Sequence, residues 1–258
     1  MSDVTRHIPR KRFGQHFLVS PGVTQRIVDA LDPQPADTLV EIGPGLGALT
    51  LPLLERLDHL QVVELDRDLV AHWQTHPLAG KLTVHAADAL EFDFARVGER
   101  CKVAGNLPYN ISTPLLFHLA DFAPRIERMV LMLQKEVVER MVAEPGSTAY
   151  GRLSVGLQVR FAMYRLCTVP PGAFNPPPKV DSAVVLMQPL HEAAPRIADP
   201  ARFDAVVAAA FGQRRKTLRN ALSGLLSEDR IRAAGVDPGA RAEQLPAEAF
   251  LALSALAA

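Results

Sequence analysis

Cysteine is scarce in this chain. Its 258 residues include two cysteines, Cys101 and Cys167, and a single tryptophan. The two cysteines form no metal-binding spacing and cannot build a disulfide scaffold. The sequence therefore predicts a protein of a reducing compartment.

Long apolar segments are absent as well. No apolar run reaches the roughly 20 residues that a transmembrane helix needs, so we expect no integral membrane protein and no membrane partner. Residues 1–12 are polar and basic and lack the apolar region of a secretory signal. With 48% hydrophobic and 22% charged residues, the composition is typical of a globular protein with one large domain, or one standard domain and a small one.

The chain also lacks an excess of either charge. It has 28 Lys and Arg residues against 28 Asp and Glu residues, so its formal net charge is zero. This balance argues against a protein that coats nucleic acid through bulk electrostatics, but it does not exclude a local basic site.

What the chain does contain is a regular alternation of short apolar runs and helix-period segments between about residues 38 and 188. This alternation predicts an α/β fold with a largely parallel sheet. We expect seven strands, at 39–42, 60–65, 82–85, 101–104, 129–133, 164–169 and 182–187. Helices are expected from the glycine turn after the first strand through Leu57, and over 136–143.

Beyond Pro189 the sequence becomes rich in Ala and Leu with helical period. We expect three helices there, at 203–226, 228–234 and 247–256. The sequence thus predicts two domains, an α/β domain over residues 1–190 and a small all-α domain over residues 191–258.

A glycine-rich turn joins the first predicted strand to the first helix. Gly43, Gly45 and Gly47 would let a ligand approach the backbone, with amides of a helix N-terminus facing it. Glu64 and Asp88 end the next two strands, where open α/β sheets bind their ligands. A plain tight turn with solvent-facing acids is one alternative, and a dinucleotide site is another.

The spacing of the glycines differs from the G-x-G-x-x-G of dinucleotide sites. S-adenosylmethionine has no pyrophosphate and needs acids for its ribose and adenine, which Glu64 and Asp88 would supply. The pattern E-x-G-x-G-x-G with these two acids resembles that of class I methyltransferases, and this interpretation is favoured.

The fourth strand runs into Asn106, Leu107, Pro108 and Tyr109. This segment resembles the N/D-P-P-Y/F element of amino-methyltransferases. An exocyclic amine is a poor nucleophile, and two acceptors, the Asn106 side chain and the carbonyl before Pro108, would aim its lone pair at the methyl group. Tyr109 would stack on the base. The alternative is an Asn-Pro turn with Tyr109 as a core aromatic residue.

Phe174 lies in a proline-rich loop before the seventh strand. We predict that it forms a second stacking face for an extruded base. The alternative is a side chain that packs the loop onto the core.

Five segments, at residues 11–18, 41–47, 105–112, 174–182 and 211–220, resemble the bacterial small-subunit rRNA adenine dimethyltransferase family. The resemblance implies a class I fold with a seven-stranded sheet and S-adenosylmethionine as cofactor, without a metal. It implies dimethylation at N6 of two adjacent adenines in the 3′-terminal hairpin loop of 16S rRNA, during 30S biogenesis. It further implies a methyltransferase domain over 1–190 and an RNA-binding or ribosome-binding domain over 191–258.

The family resemblance also assigns site residues and partners. The residues that it places against the cofactor are His16, Leu18, Gly43, Gly45, Glu64, Asp88 and Asn106. His16 departs from the family, since many members carry Asn at this position. The expected partner is 16S rRNA in the 30S subunit or its precursor, and the enzyme is expected to be a cytoplasmic monomer. The rival families are the 23S rRNA adenine methyltransferases and non-enzymatic RNA binders built on the same fold.

Basic residues form two local clusters in the sequence. The first contains Arg6, Arg10, Lys11 and Arg12, and the second contains Arg214, Arg215, Lys216 and Arg219, which we place on one helix. Each cluster alone fits a solvated face. Beside a nucleobase-type site, they predict contacts with RNA phosphates, and we assign Arg10, Lys11, Arg12 and the second cluster to RNA binding.

Overall fold

A computed structural model of the chain describes residues 15–190, 197–213 and 215–257. The described residues form two compact units. The first contains the described residues up to Val138 together with Tyr164–Pro189. The second contains Glu139–Met163 and the described residues from Leu190 onward.

Nine strands are described, β1 (Phe17–Leu18), β2 (Leu39–Ile42), β3 (Leu60–Glu64), β4 (Leu82–Ala86), β5 (Cys101–Asn106), β6 (Ile126–Gln134), β7 (Phe161–Val169), β8 (Phe174–Asn175) and β9 (Ser182–Pro189). Seven of them form one sheet in the order β4-β3-β2-β5-β6-β9-β7. The pairs from β4 to β6 are parallel, and β6 pairs with β9 antiparallel. The predicted α/β fold with seven principal strands is therefore confirmed.

Ten α-helices are described, α1 (Pro21–Leu31), α2 (Thr50–Leu54), α3 (Arg67–Thr75), α4 (Ser112–Asp121), α5 (Lys135–Met141), α6 (Arg152–Gln158), α7 (Pro200–Gly212), α8 (Leu218–Ala221), α9 (Glu228–Ala233) and α10 (Ala247–Leu256). The central parallel strands β2 and β5 are buried on both faces, as expected when helices cover a sheet from either side. Because these strands are parallel, the carboxyl ends of β2 to β5 meet at one edge of the sheet.

A small two-stranded ribbon joins distant parts of the first unit. β1 pairs with β8 antiparallel, with Leu18 opposite Phe174 and Phe17 opposite Asn175. Strands of two residues leave no periodic signal, and this pairing was absent from the sequence prediction. The ribbon ties the segment before α1 to the loop before β9.

The second unit has its own apolar core. Tyr150, Val155 and Val159 belong to the same buried cluster as Phe203 and Phe250 from the C-terminal helices. Residues 139–163 therefore pack with the helical unit, whereas the sequence predicts them as part of the α/β domain. The predicted boundary followed the order of the chain, and a unit built from two separate stretches cannot be read from that order.

The predicted helix over 203–226 is wrong in its extent. α7 ends at Gly212, and α8 starts only at Leu218. Thr217 has an extended backbone and forms an isolated bridge with Arg241, so the chain cannot remain helical there. Similarly, α2 ends at Leu54, before the predicted Leu57.

Across the residues that the structure describes, no helix is both long enough and apolar enough to span a bilayer.

Candidate active site

A cavity of about 290 Å³ opens where the parallel strands end. Its size lies near the lower end of ordinary ligand pockets. Segments that follow β2, β3, β4 and β5 line it, as does the segment before β1. The predicted site residues that it brings together are His16, Gly43, Gly45, Glu64, Asp88, Asn106, Leu107, Pro108 and Tyr109.

The glycine turn after β2 has the geometry that its sequence predicts. Gly43 has a φ of +68°, and a Cβ added there would meet no atom within 4 Å, so the space beside its backbone is open to a ligand. Gly47 has a φ of +94°, and a Cβ there would approach the Trp73 ring to 2.9 Å. The Trp73 indole N–H also donates to the Gly45 carbonyl at 3.0 Å. Trp73 thus packs against the glycine turn and hydrogen-bonds to it.

Glu64 ends β3 with its side chain largely buried, at 8% exposure. Its Oε1 accepts a hydrogen bond from the Asp66 amide at 2.8 Å. Burial raises the pKa of Glu64, although hydrogen bonds from backbone amides oppose that shift. Asp88, half-buried beyond β4, accepts from the Leu90 amide at 2.9 Å through one oxygen. These contacts hold both carboxyl groups at the cavity.

Glu41, the first residue of the E-x-G-x-G-x-G pattern, is a buried carboxyl for which the sequence predicts no role. It is 1% exposed, and the Thr50 hydroxyl donates to its Oε2 at 2.7 Å. Burial raises the pKa of Glu41 to about 8. Glu41 lines a neighbouring cavity of about 240 Å³, which shares Phe17, Gly43, Gly45 and Asn106 with the first.

Leu18 is placed by the structure on this neighbouring cavity rather than on the first one. Its side chain is buried at 5% exposure and belongs to the core of the first unit. Any contact of Leu18 with a ligand in the first cavity would therefore involve its backbone.

Asn106 has a fixed side-chain orientation. Its Nδ2 donates a hydrogen bond to the backbone carbonyl of His16 at 2.8 Å. This bond assigns the two ends of the amide and leaves Oδ1 as the end suited to accept a hydrogen bond from a ligand. The next residue, Leu107, is buried, and its amide donates to the Met132 carbonyl at 3.0 Å. The motif is thus anchored to β6.

Tyr109 is held by two side chains. Its hydroxyl lies 2.6 Å from the Ser182 hydroxyl, and its ring stacks on the His16 ring with centroids 5.6 Å apart. The Nδ1–H of His16 in turn donates to the Pro176 carbonyl at 2.8 Å. Burial raises the pKa of Tyr109, so the phenol is neutral at ordinary pH. Sequence reasoning missed the role of Ser182, because its partner is 73 residues away.

Phe174 is not brought to the cavity. Its ring is 3% exposed and belongs to the same buried cluster as Leu18 and Ala104. In this arrangement the ring packs the loop onto the core. A stacking role would require the ring to leave that core, and it stays a prediction.

The predicted RNA-binding residues are only partly described. Arg6, Arg10, Lys11, Arg12 and Arg214 lie outside the described residues. Arg215 and Lys216 are exposed in the turn after α7, while Arg219 lies on α8 and pairs with Glu228 at 4.0 Å. The single helix predicted for this cluster is wrong, because Gly212 ends α7 and Thr217 is extended.

The bridge from Thr217 to Arg241 adds a basic residue that sequence reasoning missed. It places Arg241, which is exposed, alongside the segment that carries Lys216. The Leu218 amide reinforces this pairing by donating to the Ala240 carbonyl at 2.9 Å. No sequence signal connects residues so far apart.

Clusters of three or more His, Cys, Asp or Glu side chains able to hold a metal ion are absent from the described part of the chain. The expected absence of a metal stays a prediction.

The sheet order, the cavity at its carboxyl edge and the Asn-Leu-Pro-Tyr segment beside it define a class I methyltransferase fold. A family model described as ribosomal RNA adenine dimethylase matches residues 6–258. The chain belongs to this family. The resemblance stated from the sequence is thereby confirmed.

Named relatives are similar to this chain over nearly their whole length. A ribosomal RNA small subunit methyltransferase A of Thiobacillus denitrificans is 59% identical over 249 residues, covering 96% of this chain and 98% of that protein. The protein of the same name from Aromatoleum aromaticum is 57% identical over 251 residues, covering 97% of this chain and 95% of that protein.

Solved structures of similar proteins agree with the fold. A dimethyladenosine transferase from Plasmodium falciparum has a TM-score of 0.79 at 28% identity, covering 92% of this chain and 96% of that one. The 23S rRNA methyltransferase ErmE has a TM-score of 0.74 at 26% identity, covering 93% of this chain and 98% of that one.

Proposed function

We propose that this protein transfers methyl groups from S-adenosylmethionine to N6 of two adjacent adenines in the 3′-terminal hairpin loop of 16S rRNA. The observation that carries the chemistry is the Asn106 side chain, whose Nδ2 is committed to the His16 carbonyl, so that Oδ1 is the end left to accept from a ligand. We place this methylation in the biogenesis of the 30S subunit, and we propose that the enzyme acts as a cytoplasmic monomer.

The residues around the cavity fit S-adenosylmethionine. The open space beside Gly43 would accept the cofactor against the backbone, and the Glu64 carboxylate suits the two ribose hydroxyls. Asp88 would accept from the adenine amino group, and the backbone near His16 and Leu18 would bind the methionine end. When bound, the cofactor supplies a methyl group on a positively charged sulfur, which makes that carbon electrophilic.

The chain's own groups then prepare the nucleophile. The lone pair of adenine N6 is delocalised into the ring, so the amine is weakly nucleophilic. Oδ1 of Asn106 and the carbonyl of Leu107 would accept hydrogen bonds from the two N–H groups of this amine. These two hydrogen bonds would favour a pyramidal nitrogen whose lone pair points at the methyl group. Tyr109 would stack on the base. A strong general base is unnecessary, since the alkylated nitrogen loses its proton readily.

The identities favour the small ribosomal subunit over the 23S alternative. The relatives named for the small subunit are 57% and 59% identical, whereas ErmE is 26% identical. The complete set of Gly43, Glu64, Asn106 and Tyr109 argues for catalysis over RNA binding alone.

We assign RNA contact to Arg10, Lys11, Arg12, Arg214, Arg215, Lys216 and Arg219, and we add Arg241 on the strength of its pairing with Thr217. Since Arg219 pairs with Glu228, its contribution to phosphate binding is smaller than that of Arg215 or Lys216. The helical unit is thus proposed to bind the ribosomal particle.

Transfer of tritiated methyl groups to 30S particles that lack the modification tests this function. We expect about four methyl groups per particle if two adenines are each dimethylated, with none on 23S rRNA. Digestion and mass analysis of the product identifies the base and the atom.

The variant Asn106→Ala tests the residue that carries the proposed chemistry, because it removes both the hydrogen-bond acceptor and the bond to the His16 carbonyl. We expect its kcat to fall by about 100-fold or more. Methylation of 23S rRNA in preference to 30S particles would move the protein to the rival family, and binding without methyl transfer would make it a non-enzymatic factor.

A further inference from the structure

Ser182 has a chemical environment that the proposed reaction does not yet use. It is fully buried at the first position of β9, where it pairs with Gln134 of β6. Its hydroxyl is 2.6 Å from the hydroxyl of Tyr109, a short distance even for this type of hydrogen bond. A rigid sheet position therefore holds the end of the tyrosine side chain that lies farthest from the backbone.

The Tyr109 ring can tilt its long axis and can rotate about that axis. The hydrogen bond to Ser182 restricts only the tilt. The phenol oxygen lies on the axis from Cβ through the ring, so fixing that oxygen fixes the direction of the axis. Rotation of the ring about the same axis leaves the oxygen in place. A second contact is needed to fix the plane on which a base would stack.

His16 supplies this second contact. Its ring lies against the Tyr109 ring at a centroid distance of 5.6 Å and an interplanar angle of 26°, within the range of offset stacking. The imidazole is itself held, because its Nδ1–H donates to the Pro176 carbonyl. One face of Tyr109 is therefore covered by His16.

We propose that Ser182 and His16 are positioning residues that fix the axis and the plane of Tyr109, and that the target adenine stacks on the face of Tyr109 opposite His16. This inference rests on the proposed role of Tyr109 as the stacking residue. It assigns to His16 a task beyond cofactor contact, one that depends on an aromatic ring at this position.

A double-mutant cycle tests the part played by Ser182. The variants are Ser182→Ala, Tyr109→Phe and the two combined, assayed on 30S particles that lack the modification at saturating S-adenosylmethionine. Each single change should lower kcat by about tenfold while leaving the KM for S-adenosylmethionine within about twofold. The combined variant should be no slower than Tyr109→Phe alone, because both changes break the same bond.

The conservative variant Ser182→Thr retains the hydroxyl and should recover most of the kcat. Ser154→Ala is the matched control, since Ser154 is also fully buried and donates to a backbone carbonyl, that of Arg140, in the other unit. It should lower the thermal midpoint as Ser182→Ala does, yet keep kcat unchanged. Multiplicative effects in the cycle, or a Ser182→Ala kcat within about twofold of wild type, would overturn the role of Ser182.

The stacking part is tested by His16→Phe against His16→Ala. Both variants lose the bond to Pro176, and only His16→Phe keeps a flat face. At saturating cofactor we expect His16→Phe to exceed His16→Ala in kcat by about fivefold or more. Equal kcat values would contradict the stacking role of His16.

Tyr109→Ala separates this inference from the function on which it rests. A wild-type kcat for Tyr109→Ala would refute the proposed stacking role of Tyr109 itself. A large loss for Tyr109→Ala with no effect of Ser182→Ala would leave that role intact and overturn only the positioning inference.

Discussion

Glu41 combines nearly complete burial with a carboxyl group, and its ionisation is coupled to folding. Burial raises its pKa from 4.5 to about 8, although the Thr50 hydroxyl partly opposes that shift. Below pH 4.5 the folded and unfolded chains both carry the proton. Between pH 4.5 and 8 the unfolded chain releases it while the folded chain retains it, so the contribution of Glu41 to stability is lost as the pH rises.

Glu41→Gln should remove this pH dependence, because an amide does not ionise and still accepts from Thr50. The free energy of unfolding of the variant, relative to wild type, should increase by on the order of 4 kcal/mol between pH 5 and pH 9. Denaturant titrations without cofactor measure this difference. Glu55→Gln, at an exposed position, is the control. A difference that stays constant with pH would contradict the expectation.

Phe174 is buried in the core, although the sequence predicts that its ring stacks on the target base. Phe174→Ala would leave a core cavity costing about 3–5 kcal/mol, so Phe174→Leu is the better change. Because the predicted stacking face is lost, we expect Phe174→Leu to lower kcat by about tenfold, with little change in cofactor affinity or thermal midpoint. Methyl transfer and calorimetric binding of S-adenosylmethionine measure the two effects. An unchanged kcat would restrict Phe174 to the core.

At the residue scale, the sequence predicts which side chains line the site more reliably than it predicts which side chains contact each other. Glu64 and Asn106 could be predicted because a motif and a strand end coincide at each. The bond from Tyr109 to Ser182 and the stack of His16 on Tyr109 could not, because each joins residues that only the folded sheet brings together.

At the scale of elements, continuous apolar runs were the reliable signal. β2 and residues 129–133 of β6 are buried, and the sequence predicts strands at these places, although β6 begins three residues earlier. The break between α7 and α8 was missed, because the intervening residues include Arg and Lys, which favour helices, and the pairing of Thr217 with Arg241 overrides that preference.

The turn between α7 and α8 is the element from which we expect salt-dependent RNA binding. Changing Arg215 and Lys216 together to Ala should weaken binding to 30S particles and lower the slope of log K against log salt by about 1.4 to 1.8, since each phosphate contact contributes about 0.7–0.9. Binding at graded salt concentrations measures this slope.

Arg232→Ala is the matched control, because Arg232 is equally exposed but pairs with Glu228 at 3.0 Å and Asp229 at 3.5 Å. It should leave the slope unchanged. A slope that is the same in the Arg215 and Lys216 double variant as in wild type would show that this turn does not contact phosphates.

At the scale of the whole molecule, the two units are not successive stretches of chain. A protein truncated after residue 190 would keep residues 139–163 but lose Phe203 and Phe250, with which Tyr150 and Val155 share a core. We expect the truncated protein to bind a hydrophobic dye and to aggregate, because that apolar surface becomes exposed. Dye fluorescence and light scattering, compared with the full chain, measure this. A soluble fragment that does not bind the dye would contradict it.

The zero net charge of the whole molecule constrains how it binds RNA. Without a general basic field, we expect attachment to depend on local groups such as those proposed beside Thr217, and adhesion to arbitrary RNA should be weak. Such a balance suits a structured substrate whose shape selects the enzyme.

The scarcity of tryptophan has an experimental consequence. Trp73 is the one tryptophan in the chain, it is fully buried, and its indole N–H donates to the Gly45 carbonyl in the turn that faces the cavity. Its fluorescence emission comes from one known position, and we expect that emission to change when the Gly45 carbonyl moves. We therefore expect Trp73 to report ligand binding at the glycine turn without an attached label.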